Sequence, residues 1–260
     1  MREASGSIAR AAAVLDAVSA RSGDGGATLA QLAAGTAFSK TTTHRVLGAL
    51  ARVEYVHQDP ETRAWRLGQR LASLSRTAGH GDLAGLARRP MRRLAEVTGD
   101  TVFLSVPEGP ASVCIARETG SYPIRTLTLE PGARRPLGVG AGALALYCAM
   151  PEAARRAANR VNRAWLEEYG VDVARLETAR ARTAADGVAL NDGMVLPEMA
   201  AVGLAVPGAG GRPRAALAVG AIATRMTRER LEAVVLPALR KAAERLEARL
   251  VAEAEAGAAA

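Results

Sequence analysis

The stretch TLAQLAAGTAFSKTTTHRVLGALARVEYVHQDPETRAWRL, Thr28 to Leu67, decides the reading of this chain. Leu29, Leu32 and Ala33 fall at i, i+3 and i+4, the spacing of one face of a short helix, and Val46, Leu47, Leu50 and Val53 continue an apolar stripe on a second. The two stripes can pack together, with Gly35 expected in the break between the helices. Ser39 is placed to cap the second helix, leaving the backbone N–H groups of its first turn directed outward. That helix opens with Ser39, Lys40, Thr41, Thr42, Thr43, His44 and Arg45, all hydrogen-bonding groups and none acidic. Short hydroxyls and a cation in this order suit the edge of a DNA major groove, where they reach phosphates and bases.

Beyond Val53 the period changes. Tyr55-Val56-His57 and Ala64-Trp65-Arg66-Leu67 read as two short strands around the turn Gln58-Asp59-Pro60-Glu61-Thr62-Arg63. A wing of this kind leans on the DNA backbone or enters the minor groove, which makes Arg63, near the tip, and Arg66 candidate phosphate contacts. Helix, turn, helix and hairpin together spell a winged helix-turn-helix. An ordinary solvated helix face beside a surface hairpin is the blander alternative.

The chain has 260 residues, enough for one small domain and one with a sizeable core, and its 49% hydrophobic content is that of a folded protein. Its net charge of +8 favours anionic partners, but the excess is shared: residues 1–76 carry +4 and the rest of the chain the other +4. Position rather than net charge therefore points to DNA. Lysine stands only at 40 and 241, a compositional bias that makes arginine counts less informative. Ile8, Ala11, Ala12, Leu15 and Val18 form an amphipathic helix rather than a secretory signal, so a cytoplasmic protein is expected. Cys114 and Cys148 lie in apolar runs and are expected as buried thiols. His44, His57 and His80 are scattered, with no metal-ligand spacing; no metal or cofactor is expected, and no apolar run suits a membrane span.

The boundaries expected are a winged domain over 1–68, a linker helix over 69–81 broken by Gly79-His80-Gly81, a second domain over 82–252 and a frayed alanine-rich tail over 253–260. Asp82 is placed to cap a helix with Leu83, Leu86, Ala87, Met91, Leu94, Ala95 and Val97 inward, Arg88, Arg89, Arg92 and Arg93 outward, and a kink or break at Pro90. Thr101–Val106 and Val113–Arg117 read as a hairpin and Ile124–Leu129 as a third strand. Helices follow over Ala143–Met150, Glu152–Val161 and Val173–Ala185. Val202–Pro207 and Arg214–Ala223, joined by Gly208-Ala209-Gly210-Gly211, complete the sheet; a last helix runs from Thr227, bent by Pro237. The class is α+β.

In content and order, this chain resembles the IclR family of transcriptional regulators over nearly its full length. The resemblance rests on the Thr28–Leu67 stretch with its wing closure Ala64-Trp65-Arg66-Leu67-Gly68, then YPIRTLTLEPGARRPLGVGAGALALYCAMP, DGVALNDGMVLPEMAAVGLAVP and PRAALAVGAI. It implies an N-terminal winged helix-turn-helix domain, a linker helix, and a C-terminal α/β effector-binding domain of GAF/profilin-like type with an antiparallel sheet. It also implies a small-molecule pocket. Gly140 and Ala141 match the backbone that receives an effector carboxylate, Asn191 and Asp192 the far side of the pocket, Val202 and Gly203 its neighbouring strand, and Ile124 and Leu127 an apolar wall. Independently, Gly138-Val139-Gly140-Ala141-Gly142 opens a helix, whose N–H groups and dipole favour an anion; a plain tight strand-to-helix turn fits the same glycines. Ala218 and Gly220 stand where relatives carry small hydroxyls, which suggests an aromatic or hydrophobic acid.

The expected partners are a double-stranded DNA operator, a small carboxylate effector, and a second copy in a homodimer or dimer of dimers, since half-sites one helical turn apart need two modules at fixed spacing. Two other classes compete. An enzyme with an appended DNA module would draw on Asp100, Glu108, Glu118 or Asp192, yet no Ser-His-Asp or Cys-His set has paired neighbours. A sensor or scaffold using the winged fold for protein contacts would show no salt-sensitive DNA binding.

Overall fold

The computed structural model describes residues 6–21, 25–77, 82–193, 195–208 and 212–258. The chain divides into two compact units, Met1–Asp82 and Leu83–Ala260. In the first, α1 (Ser7–Ser19), α2 (Leu29–Thr36) and α3 (Lys40–Arg52) pack in pairs and a two-stranded ribbon follows, β1 (Val56–Gln58) against β2 (Trp65–Leu67). Thr28 and Gln31 form a capping box at the start of α2, and the Ser39 hydroxyl accepts the Thr42 N–H at the start of α3. The core joins Val14 and Val18 of α1 to Leu32, Leu47, Leu50, Val56 and Trp65. Two local expectations change. The break between α2 and α3 falls at Ala37, whose φ of 56° is left-handed, while Gly35 lies inside α2. On α1 the buried stripe is Val14 and Val18, and Ile8, in the first turn, is 85% exposed.

At the ribbon turn, the Asp59 carboxylate accepts the N–H groups of Glu61 and Thr62, and these bonds hold its pKa below the ordinary carboxylate value. Helix α4 (Gln69–Thr77) closes this unit. The Gly79-His80-Gly81 break lies outside the described residues.

The second unit is a six-stranded antiparallel sheet in the order β5-β4-β3-β8-β7-β6. Its elements are α5 (Leu83–Thr98), β3 (Thr101–Glu108), β4 (Ala111–Glu118), β5 (Arg134–Pro136), α6 (Ala141–Ala149), α7 (Glu152–Glu167), α8 (Val173–Asp186), β6 (Ala189–Asp192), β7 (Met199–Pro207) and β8 (Pro213–Ile222). After a 3-10 turn at Ala223–Arg225 come α9 (Arg228–Arg230), a π turn at Leu231–Val235 and α10 (Leu236–Ala258). Helices α5 and α10 cover one side of the sheet through Met91, Leu94, Leu239 and Leu246, packed with Val102, Leu104, Val202 and Leu217. Helix α6, backed by α8, covers the other through Leu144, Tyr147 and Leu176.

Several expectations are corrected here. Ile124–Leu129 is an irregular loop, with Ile124 54% and Leu127 50% exposed; the strand that pairs with β4 is β5, ten residues after Ile124. Polar Arg125, Thr126 and Thr128 interrupt the apolar positions there, so the segment has no single apolar face to bury. The edge strand β6 arises from Ala189–Asp192, a segment too short to show a period of its own. Helix α5 runs unbroken through Pro90, which is buried, while Val97 is 46% exposed. The last helix widens into the π turn just before Pro237, a residue with no N–H to give an α-helical carbonyl. It continues to Ala258, through most of the segment expected to fray, because alanine and glutamate are good helix formers. Residues 259–260 and the middle of the Gly208–Gly211 connection lie outside the described residues.

A buried ion cluster holds one end of this unit. The Asp100 side chain, 1% exposed, accepts from Arg225 Nε at 2.9 Å and Arg230 Nη2 at 2.7 Å, and both arginines also donate to the Thr98 carbonyl. Arg225 in turn lies 3.7 Å from the Tyr122 ring centroid, so the loop after β4 is fastened to the same point.

Both cysteines are free; Cys114 is buried and Cys148 half-buried. Burial pushes the Cys114 thiol up to about 11 and raises that of Cys148 as well. In the native protein at pH 8, Cys114 is expected to resist a disulfide reagent such as DTNB until denaturant is added. Rapid native labelling of this residue would contradict the packing of β4.

Candidate functional site

Two places gather the functional groups, one in each unit. On α3, Lys40, Thr41, His44 and Arg45 are exposed, with Thr41 and Arg45 on the side away from the buried Leu47 and Leu50. Ser39 and Thr42 flank them at the helix start, joined by a hydroxyl bond of 2.9 Å from Ser39 to Thr42. Thr43 is a correction. It is fully buried at i−4 from Leu47, and its hydroxyl donates to the Ser39 carbonyl at 3.1 Å, so it fastens α3 to the core instead of facing outward. Arg63 sits at the turn of the ribbon with a left-handed φ of 58°, exposed. Arg66 is exposed on β2, 3.8 Å from the Asp59 carboxylate. One face thus carries two cations, an imidazole and hydroxyls, with a second pair of arginines on the ribbon. The expected result for Arg45→Ala is loss of DNA affinity with an unchanged melting temperature, whereas Thr43→Val lowers stability by about 1 kcal/mol through its lost hydroxyl bond. Gel shifts and thermal melts separate the two.

The second place is a cavity between α6 and the sheet. Phe103, Val139, Ala141, Val195, Met199 and Ala218 give apolar wall, while Ser105, Ser112, Thr126, Thr128, Asn191 and Arg135 give polar groups. Its floor is made by close approach: a Cβ on Gly203 would lie 2.4 Å from the Ala141 carbonyl oxygen, so glycine there lets α6 settle onto β7. Gly140 stands at the helix start with a φ of 86° and no side-chain cap. Ala141, Gly142 and Ala143 line the cavity, and as first-turn residues their N–H groups have no acceptor within the helix.

Arg135 dominates the electrostatics. A methyl on Gly140 would lie 3.0 Å from its Nη1, which places the guanidinium against the helix start, and its Nη2 donates to the Thr128 carbonyl. Burial lowers its pKa, and no carboxylate pairs with it among the described residues. A half-buried guanidinium without a carboxylate, beside a helix N-terminus, is a site for an anion. Across the cavity, the buried Asn191 Oδ1 accepts no hydrogen bond from the described residues.

Of the residues expected from the sequence, Gly140, Ala141, Asn191, Ala218 and Gly220 line this cavity. Ile124 and Leu127 do not; they are exposed on the loop whose Thr126, Thr128 and Leu129 do. Val202 belongs to the opposite core under α5 and α10, because successive strand residues alternate faces, and Gly203 acts through its backbone contact. Asp192 pairs with Ala200 through β6, where its position alternates with that of Asn191. The hydroxyls that Ala218 and Gly220 lack are supplied by Ser105, Ser112 and Thr126 from other elements. Arg135 was missed, although the adjacent Arg134 and Arg135 on a strand must face opposite ways: Arg134 pairs outward with Glu108 and Arg135 inward.

Comparison with known proteins gives two family matches along the chain. Residues 7–60 match the IclR helix-turn-helix domain and residues 75–248 the C-terminal domain of bacterial IclR transcriptional regulators. The HTH-type transcriptional regulator BhcR of Paracoccus denitrificans is 29% identical over 234 residues, 86% of this chain and 80% of the relative. The HTH-type transcriptional repressor AllR of Escherichia coli K12 is 30% identical over 109 residues, 41% of this chain and 40% of its own. Among solved structures, an IclR transcriptional regulator from Alicyclobacillus acidocaldarius superposes with a TM-score of 0.73 at 24% identity, over 94% of this chain and 98% of the other. An IclR homologue from Microbacterium hydrocarbonoxydans complexed with 4-hydroxybenzoate gives 0.71 at 20% identity, over 95% and 100%. No helix among the described residues is long and apolar enough to cross a membrane. With family matches spanning a helix-turn-helix and most of the remaining chain, this protein belongs to the IclR family of transcriptional regulators.

Proposed function

We propose that α3 and the ribbon read a DNA operator, and that the cavity takes a compact organic acid bearing a hydroxyl or amide hydrogen, whose binding changes operator affinity. The observation that carries the effector reading is Arg135, half-buried without a carboxylate partner among the described residues, beside the start of α6. A carboxylate placed there is held by charge-assisted bonds on one side and by the helix dipole on the other. The orphaned Asn191 Oδ1 calls for a donor on the effector. The apolar wall of Phe103, Val139 and Met199 suits a short hydrocarbon or aromatic body between them. The Microbacterium relative holds 4-hydroxybenzoate, an acid with both ends of this description.

The lining groups are hydroxyls, an amide and a guanidinium, which bind and orient, so we read the unit as a sensor and not a catalyst. An effector shifts operator affinity only by its preference for one arrangement of the protein. We expect two copies on half-sites, acting in the cytoplasm. The test is calorimetric titration with matched pairs, benzoate against 4-hydroxybenzoate and propionate against lactate, alongside 4-hydroxybenzyl alcohol. The hydroxylated acids are expected to bind tightest and the alcohol not at all. Equal binding of the alcohol would sink the carboxylate assignment. A gel shift on the DNA upstream of the protein's own reading frame, with and without the best acid, tests the operator reading.

A further inference from the structure

The cavity under α6 has less room than an aromatic acid needs. It holds about 50 Å³ of open space, whereas a cavity that takes a benzene ring measures about 150 Å³. Some part of its wall must move to admit such an effector. Apart from Val195, the lining divides in two. Most of it stands on strands of the sheet or on α6 and its lead-in. Thr126, Thr128 and Leu129 instead hang on the irregular strap between β4 and β5. No backbone N–H of residues 124–130 bonds a backbone carbonyl among the described residues, so this strap is the part of the wall that opens at least cost.

The strap is anchored at its start and latched at its end. At the start, the Tyr122 N–H donates to the Gly99 carbonyl at 2.9 Å, and the Tyr122 ring lies against Arg225 of the Asp100 cluster. Beyond that hinge, its bonds among the described residues run through side chains. The Thr126 hydroxyl donates to Met199 Sδ at 3.6 Å and Arg135 Nη2 to the Thr128 carbonyl at 2.5 Å. Arg117 Nη1 donates to the Leu129 carbonyl at 3.3 Å and to the Glu130 carboxylate at 2.6 Å. Held in this way the strap keeps Thr126 only 4% exposed, while Ile124 and Leu127 stand in solvent. A guanidinium has five N–H donors, enough for Arg135 to keep the Thr128 carbonyl and take a carboxylate as well, so the strap can shut again over a bound acid.

We propose that residues 123–129 form a gate over the cavity, hinged at Tyr122 and latched by Arg117, which opens to admit the acid and closes on it. What passes through rests on the effector reading; whether the strap opens does not. Two measurements on the full chain keep these apart, with thermal melts confirming that the variants fold. In acid-free protein, the introduced thiol of Thr126→Cys lies under the closed strap, where DTNB reaches it only on opening. Peptide mass spectrometry is expected to find it labelled well before Cys114, which is fully buried in the sheet. Adding Arg117→Ala is expected to speed that labelling about 10-fold, the order set by one hydrogen bond lost from the closed form. Stopped-flow binding of 4-hydroxybenzoate gives the second reading. Arg117 does not line the cavity, so Arg117→Ala is expected to raise the association and dissociation rates together by about 10-fold and to leave Kd within about threefold. Labelling as slow as that of Cys114, labelling that Arg117→Ala leaves unchanged, or a change in Kd without the paired change in rates would each overturn the gate. Failure of the wild type to bind 4-hydroxybenzoate, with the labelling as expected, would support the gate and count against the effector reading alone.

Discussion

Replacing Arg135 by alanine is expected to cut affinity for the best-binding acid by about 30- to 1,000-fold, the 2–4 kcal/mol typical of removing a charged partner that the bound ligand shields from water. The side chain stands against Gly140 at the open start of α6, so its loss takes one of the charge-assisted bonds and leaves only backbone N–H groups. Arg135→Lys keeps a charge but loses the planar fork and is expected to recover only part of the affinity. Stability should not fall in parallel: in the empty site the guanidinium is desolvated without a carboxylate to offset it, and its lowered pKa has the same cause. Operator binding without acid should also be unchanged. Titration calorimetry of the two variants measures the first effect and a gel shift the second. Wild-type affinity in Arg135→Ala would show that the acid sits elsewhere.

Asp100→Ala is expected to produce the largest loss of stability, about 3–5 kcal/mol, because it leaves two arginines facing each other around an empty centre. In a unit of this size that corresponds to a fall in melting temperature of roughly 10 °C. The consequence reaches the pocket. Arg225 stacks on Tyr122, and the loop from Tyr122 onward delivers Thr126, Thr128 and Leu129 to the cavity wall. Calorimetric melting of the variant reads the first effect, and slower or weaker acid binding near 20 °C, where the protein remains folded, reads the second. A loss under about 1 kcal/mol would mean that the cluster is as inconsequential as an exposed ion pair.

What the sequence made legible follows the range of the interactions involved. Caps and apolar stripes are local, so α2, α3 and the ribbon could be placed from Leu29, Leu32, Ser39, Leu47 and the Gln58–Arg63 turn. The same locality explains the error at Thr43. A threonine among hydroxyls looks like its neighbours until Leu47 and Leu50 fix which side of the helix is buried. The β3–β4 hairpin was readable because its turn lies between two apolar runs. The segment Ile124–Leu129 was misread because β-branched composition resembles a strand whether or not a partner strand exists, and the partner of β4 turned out to be Arg134–Pro136. In the pocket, the Gly-rich helix start was visible, but Arg135, Ser105 and Ser112 meet only when the sheet folds over. No spacing along the chain announces a convergence of that kind.

The two ends of the six-stranded sheet are its shortest strands, β5 with three residues and β6 with four, and β5 finishes on Pro136, which has no N–H to offer. Neither edge gives an incoming strand more than a few rungs to pair with, so the sheet resists the edge-to-edge growth that leads to aggregates. Such blunted rims leave association of these units to side-chain surfaces, where shape and charge can choose the partner.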